Sequence, residues 1–260
     1  MGNAPSSEDE LLVERDGHVV VLTINRPERL NAFSRSVRGK LTELWPQLDA
    51  DPEVRAVVVT AAGDRAFSSG GDVSELDGPE DYPRYTARQA GVFTPTITAV
   101  NGMCASAGLH FVADADIVIC SENATFFDTH VHVGQVSALE PIGLARRVPL
   151  GEVLRMVALG KAYRIDARRA LELGLVSEVV PGEKLRERAV ELGHIIASAS
   201  PAAVRASLRA VWESLDRGLD DGLKHGYQIL QDHLDHPDAA EGPAAFMAKR
   251  SPNWSVRGGR

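Results

Sequence analysis

Two β-branched runs with few charged residues limit this chain more than any other feature: "VRAVVVT" (54–60) and "TITAVNG" (96–102). Runs of this kind suit strands covered on both faces, as in a parallel sheet with helices packed on it. A hairpin precedes them, "LLVERDGHVVVLTINRP", with its turn at Asp16-Gly17 and its end at Pro27. Ser34 can cap a helix whose apolar positions Val37, Leu41, Leu44, Trp45 and Leu48 fall at helical spacing, and Pro46 is expected to end it early. "SAGLHFVADA" reads as a short helix, "DIVIC" as a strand and "ATFFDTHVHVG" as a further strand or loop. "DARRALELGLVSEVV" reads as a helix that stops at Gly174 and runs into a short strand. Strands therefore alternate with helices through the first three quarters, which predicts an α/β domain. Only helical patterns follow residue 200. Residues 1–10 are expected to be a disordered lead-in, 11–200 the core and 201–260 a helical appendage.

Charge narrows the function. The net charge of −8 argues against a general nucleic-acid or anionic-membrane surface, because phosphate contacts need clustered cations. A few local arginines could still hold a small anion. No apolar run reaches membrane-spanning length, and the polar, acidic start carries no export pattern. Cys104 and Cys120, each in an apolar setting, suit buried thiols in a reducing compartment, so a cytoplasmic protein is expected.

Three loops follow strands in the same way: "INRPERLNAFS", "AFSSGGDV" and "NGMCASAG". Strand ends at one edge of an α/β sheet are where ligands bind. Glycines in the second loop let the backbone approach a ligand, and the third loop opens a helix with unpaired N–H donors. One N–H from each loop could grip a carbonyl oxygen as it gains negative charge. Beyond them, "FFDTHVHVG" (126–134) carries Asp128, His130 and His132 at every second position. An extended chain would put all three on one face. Two histidines without further ligands at suitable spacing make a poor metal site, and no metal is expected.

The segments "NRPERLNAF", "DRAFSSGGDV", "ITAVNGMCASAGLHFVADADIVICSENATF" and "RIDARRALELGLVSEVVP" follow one another in the order and spacing of the enoyl-CoA hydratase/isomerase family, the crotonase superfamily. The resemblance spans roughly residues 11 to 252. It implies a crotonase-type α/β spiral of β-β-α units with a C-terminal helical oligomerisation region. Trimers, often paired into hexamers, are implied as well. It also implies an acyl-CoA thioester as ligand, with coenzyme A entering only as part of the substrate and no separate cofactor. Matched to the family motif, the oxyanion-holding N–H groups fall on Gly71 and Ala107, where Ala107 replaces a usual glycine. The CoA-binding positions fall on Arg29, Leu30, Ala32, Arg65, Ser69, Asp72 and Val73. Near the end, "FMAKRSPNW" resembles the family's closing segment, where Phe246 and Lys249 would cover CoA on a neighbouring subunit.

The departure from the pattern lies at the catalytic pair. A typical hydratase has two glutamates, and the matching positions here are His110 and His130. Histidine can exchange a proton near neutral pH but usually needs a partner on its other ring nitrogen. Asp128 and Glu140 are the candidates. Glu140 stands in "SALEPIG", where the family usually starts a helix with a glycine-rich run. Three readings stay open: hydratase/isomerase chemistry with His110, His130 and Glu140; a hydrolase cleaving a carbon–carbon bond of a β-diketone, since some crotonase-fold enzymes of that kind use histidines with an acidic partner; or an acyl-CoA-binding protein without turnover.

Overall fold

The computed structural model describes residues 9–75 and 82–255. Residues 1–8 of the expected lead-in and 256–260 of the tail lie outside the described residues. Asp9 and Glu10, placed with the lead-in by sequence, are already held. Glu10 accepts from the Asn25 N–H through its carbonyl, and its carboxylate meets Arg26 at 2.7 Å and the Ser34 hydroxyl at 2.6 Å.

The strands are β1 (Leu11–Asp16), β2 (Val19–Ile24), β3 (Ala56–Ala61), β4 (Ala66–Ser68), β5 (Thr96–Val100), β6 (Met103–Ala105), β7 (Ile117–Ser121), β8 (Thr125–Phe127), β9 (Ile165–Asp166) and β10 (Glu178–Val180). They form two sheets, ordered β1-β2-β3-β5-β7-β10 and β4-β6-β8-β9. Each of three successive units gives one strand to the larger sheet and the next to the smaller, and neither sheet has a strand out of chain order. The hairpin β1-β2 is antiparallel, while β2, β3, β5, β7 and β10 run parallel. Of the parallel strands, β2, β3 and β5 are buried on both faces, while β10 at the edge is half-buried. Val20, Leu22, Val57 and Val59 join the main core, whereas Val19, Val21, Val58 and Ile97 pack on the opposite side against Leu185 and Ala189.

Nine helices occur among the described residues: α1 (Arg35–Ala50), α2 (Leu109–Asp114), α3 (Leu139–Leu144), α4 (Leu150–Leu159), α5 (Ala167–Glu172), α6 (Leu185–Ala197), α7 (Pro201–Ser214), α8 (Leu219–His233) and α9 (Pro237–Met247). Ser34 caps α1 as expected, accepting from the Val37 N–H at 3.1 Å. The early stop at Pro46 does not occur: the helix runs on to Ala50. Packing of Trp45 and Leu48, both buried, outweighs the missing N–H at an exposed position in the last turns. Trp45 also donates its ring N–H to the Tyr85 carbonyl at 2.8 Å.

Candidate active site

The three loops singled out by sequence are joined to one another. Leu30 and Asn31 both take left-handed backbone conformations, and the Asn31 amide spans to the Ala62 and Ala66 carbonyls. The first loop is then zipped to the second: Ser69 N–H donates to Leu30 O, Phe33 N–H to Gly70 O and Asp72 N–H to Phe33 O. The Gly70 N–H turns back to the Ser68 hydroxyl. Among the described residues none accepts from the Gly71 N–H. The second loop abuts the third so closely that a Cβ on Gly70 would lie 2.8 Å from Ser106 Cβ and 3.5 Å from the Ala107 nitrogen. Gly70 has φ +106, which only glycine adopts freely. The Ala107 N–H lies in the 3-10 turn Ser106–Gly108 that opens α2, and no described residue accepts from it. Two unspent N–H donors thus sit on adjoining turns, the arrangement an oxyanion hole requires.

His110 lies three residues beyond Ala107, in the first turn of α2, and is buried. His130 opens a 3-10 turn, His130–Val133. This corrects the extended reading of residues 126–134. The strand stops at Phe127, where Asp128 takes over the backbone: its carboxylate accepts the His130 N–H at 2.8 Å and holds His130 Nδ1 at 3.0 Å. A 3-10 turn advances about 120° per residue, so His130 and His132 no longer share a face. His132 packs on Gly160 and accepts from the Lys161 N–H at 3.4 Å, outside the cluster. The Ser106 and Thr129 hydroxyls bond to each other, tying this turn to the one that carries Ala107.

Glu140 completes the group from α3. Its Oε1 lies 3.2 Å from His110 Nε2 and 3.9 Å from His130 Nε2. On the far side of His110, Nδ1 is 3.0 Å from the Gln89 amide nitrogen, and the Tyr85 ring stands edge-on to the imidazole. On the far side of His130, Asp128 is fully buried and also accepts from the Ser137 hydroxyl at 2.9 Å. A continuous polar chain therefore runs Gln89, His110, Glu140, His130, Asp128, Ser137.

The electrostatics separate the two ends of this chain. The Asp128 carboxylate raises the His130 pKa above its ordinary 6.5, and the Glu140 charge adds to this against the opposing effect of burial. Burial pushes the Glu140 carboxyl upward, but the hydrogen bond from His110, with the charge of His130, more than offsets it. The net shift is below the ordinary 4.5. Asp128 is likewise lowered: burial opposes this, and the hydrogen bonds and charge of His130 prevail. An ionised carboxylate thus faces an imidazole that favours its protonated form. Opposed titrations of this kind suit acid–base chemistry and are also what a buried ion pair produces.

The family profile described as enoyl-CoA hydratase/isomerase matches residues 14–257. The chain belongs to the enoyl-CoA hydratase/isomerase family. It is 32% identical to the (E)-benzylidenesuccinyl-CoA hydratase of Thauera aromatica over 92% of this chain and 96% of that one. It is 31% identical to an enoyl-CoA hydratase of Mycobacterium tuberculosis, over 96% and 98%. Among solved structures it is similar to an enoyl-CoA hydratase/isomerase from Mycobacterium paratuberculosis, with a TM-score of 0.89, 39% identity and coverage of 96% and 99%. The fold is accordingly the crotonase fold of that family.

Other residues matched to the family motif have more varied surroundings. Arg29 and Arg65 are exposed, Leu30 and Ser69 half-buried, Ala32 buried and Val73 exposed. The Asp72 side chain is engaged inside the chain, with Arg26 at 3.1 Å and the Ser74 hydroxyl at 2.6 Å, and its backbone N–H and carbonyl are bonded to Phe33 and Glu75. Phe246 and Lys249 stand exposed at and just beyond the end of α9. Among the described residues no helix is long and apolar enough to cross a membrane, and no group of three or more metal-ligating side chains is assembled. Both cysteines are free and buried, and burial pushes the Cys120 thiol up to about 12. The sequence reading did not single out Gln89. Its signal was the spacing Thr86-x-x-Gln89, a capping box: the Gln89 N–H donates to the Thr86 hydroxyl, and the Thr86 N–H to the Gln89 side-chain oxygen, each at 3.3 Å.

Proposed function

We propose that this protein adds water across the double bond of an enoyl-CoA thioester, using a carboxylate and an imidazolium where typical members use two glutamates. The observation that carries this reading is the placing of one carboxylate oxygen, Glu140 Oε1, between His110 Nε2 and His130 Nε2 beside the adjoining Gly71 and Ala107 turns. The thioester oxygen takes the Gly71 and Ala107 N–H groups. Glu140, ionised, removes a proton from water as its oxygen bonds to the β carbon, and the π electrons move onto the thioester oxygen as an enolate. His130, protonated, gives its Nε2 proton to the α carbon as the enolate collapses. The proton on Glu140 then passes to His130 Nε2 through one intervening water, since the two atoms stand 3.9 Å apart, restoring both groups. Asp128 orients His130 and stabilises its charge.

Arg29 and Arg65 are the cations for the CoA phosphates on this chain, with Lys249 and Phe246 supplied from a neighbouring subunit in a homotrimer or dimer of trimers. Charge reversal at Arg65 or Lys249 should weaken acyl-CoA affinity in isothermal titration, with a salt-dependent loss, and unchanged affinity in both variants would remove this CoA site. The deciding assay is hydration of crotonyl-CoA, expected to be slow beside a typical member because an imidazole reaches differently from a glutamate. A second reading draws on the two imidazole–carboxylate pairs, which suit water activation against a carbonyl: carbon–carbon hydrolysis of a β-diketone. Turnover of a diketone without binding of CoA would favour it, and tight acyl-CoA binding without any turnover would favour a binding protein.

A further inference from the structure

We propose that Gln89 fixes the tautomer of His110, so that this imidazole is a positioning residue that holds Glu140 and takes no proton in the reaction. The inference rests on the acid–base reading above and deepens it. An amide has two unlike ends, and here the choice between them is made by the backbone. The Gln89 oxygen is occupied as acceptor of the Thr86 N–H, and the same two residues are locked by the reciprocal bond from the Gln89 N–H to the Thr86 hydroxyl. That hydroxyl in turn donates to Asp114 Oδ2 at 2.7 Å. The end of the amide left for His110 is therefore the nitrogen, 3.0 Å from Nδ1. An amide nitrogen only donates, so Nδ1 must accept, and the ring proton of the neutral imidazole resides on Nε2. Nε2 then donates to Glu140 Oε1 at 3.2 Å.

In this arrangement His110 has no free lone pair. Its one acceptor site is filled by Gln89, and its one proton is committed to Glu140. The charged or titratable groups around the ring are Glu140 from α3, His130 from the following turn, Asp114 at the end of its own helix and the edge-on Tyr85. Taking a proton would require breaking the Gln89 contact. His110 thus contributes a directed hydrogen bond that fixes which way the Glu140 carboxylate faces, and the proton traffic runs between Glu140 and His130.

The test is the solid-state nitrogen-15 spectrum of histidine-labelled protein at neutral pH, with the His110 signals assigned by their loss in His110→Asn. The expected spectrum shows an unprotonated Nδ1 and a protonated Nε2 for His110. Gln89→Glu, which presents a carboxylate oxygen to Nδ1, should convert both nitrogens to the protonated type. Gln89→Leu, which presents nothing, should mix the two tautomers and lower kcat by roughly tenfold or more with little change in KM, since a wrong tautomer disables an otherwise intact site. A protonated Nδ1 in the wild type, or an unchanged spectrum in both variants, would overturn the proposal. The spectrum reads the tautomer whether or not crotonyl-CoA is turned over, so loss of the hydratase reading and loss of this one are separate results. Equal melting temperatures of the variants establish that neither has simply unfolded.

Discussion

At the scale of single residues, the proposed mechanism depends on two ionisable groups whose titrations are pushed apart. His130 must be protonated to act as acid and Glu140 ionised to act as base. The rate should therefore rise with pH through a Glu140 limb below the ordinary carboxylate value. It should fall through a His130 limb above 6.5, because Asp128 raises that pKa. Asp128→Asn removes the raising charge and should move the falling limb of kcat/KM to lower pH, whereas an unmoved limb would detach Asp128 from His130. His130→Ala and Glu140→Gln should each lower kcat by roughly a hundredfold or more, with acyl-CoA affinity nearly intact because the oxyanion donors are backbone groups. Fast hydration that survives both substitutions would end the proposed mechanism. Gly70 has little freedom. Gly70→Ala forces a Cβ to within 2.8 Å of Ser106 Cβ at a φ of +106, and should cost about 1–3 kcal/mol of stability in denaturant unfolding while lowering kcat.

At the scale of elements, α1 carries a removable defect. Pro46 is exposed in its last turns and supplies no N–H, so Pro46→Ala should raise stability by about 1 kcal/mol or more in urea titration, the restored bond outweighing the more flexible unfolded chain. A loss of stability would mean that the proline ring itself packs where the helix needs it. The same helix shows what was legible in the sequence. Its start was readable because a Ser34 cap is a local device, whereas its end was decided by burial of Trp45 and Leu48, which no window of sequence displays. The strands β2, β3, β5 and β7 were legible from runs rich in β-branched residues and free of charge. The turn after β8 was not, because alternating polar residues mimic a half-buried strand. What broke the strand was the Asp128 carboxylate capturing the His130 N–H, a bond that sequence period does not report. His110, His130 and Glu140 could be chosen by position in the motif. Their convergence on one oxygen, and the part played by Gln89, depended on packing between elements far apart in the chain.

At the scale of the whole molecule, α8 presents an apolar stripe to the outside. Leu219, Leu223, Tyr227, Leu230 and Leu234 fall on one face at spacings of four, four, three and four, and each is more than half exposed. A face of this kind, on a chain proposed above to form trimers, is expected to be shared between subunits. Sedimentation should give a trimer or a multiple of it, and the pair Leu223→Asp with Leu230→Asp should shift the population to monomers. A wild-type monomer at micromolar concentration would contradict the assembly and, with it, the reach of Lys249 and Phe246 to a neighbour's CoA.

The monotonic strand order of both sheets bears on how the chain comes to be folded at all. Because β2, β3, β5, β7 and β10 lie side by side in the sequence of their synthesis, each strand emerging from the ribosome meets an edge already formed by its predecessor. No later strand has to wedge between two earlier ones. Growth can proceed outward from the β1-β2 hairpin, whose pairing is local and carries the smallest loop-closure cost. Partial chains would then add strands at one growing edge, and the larger sheet would be complete when β10 closes onto β7, leaving α6 to cover its outer face.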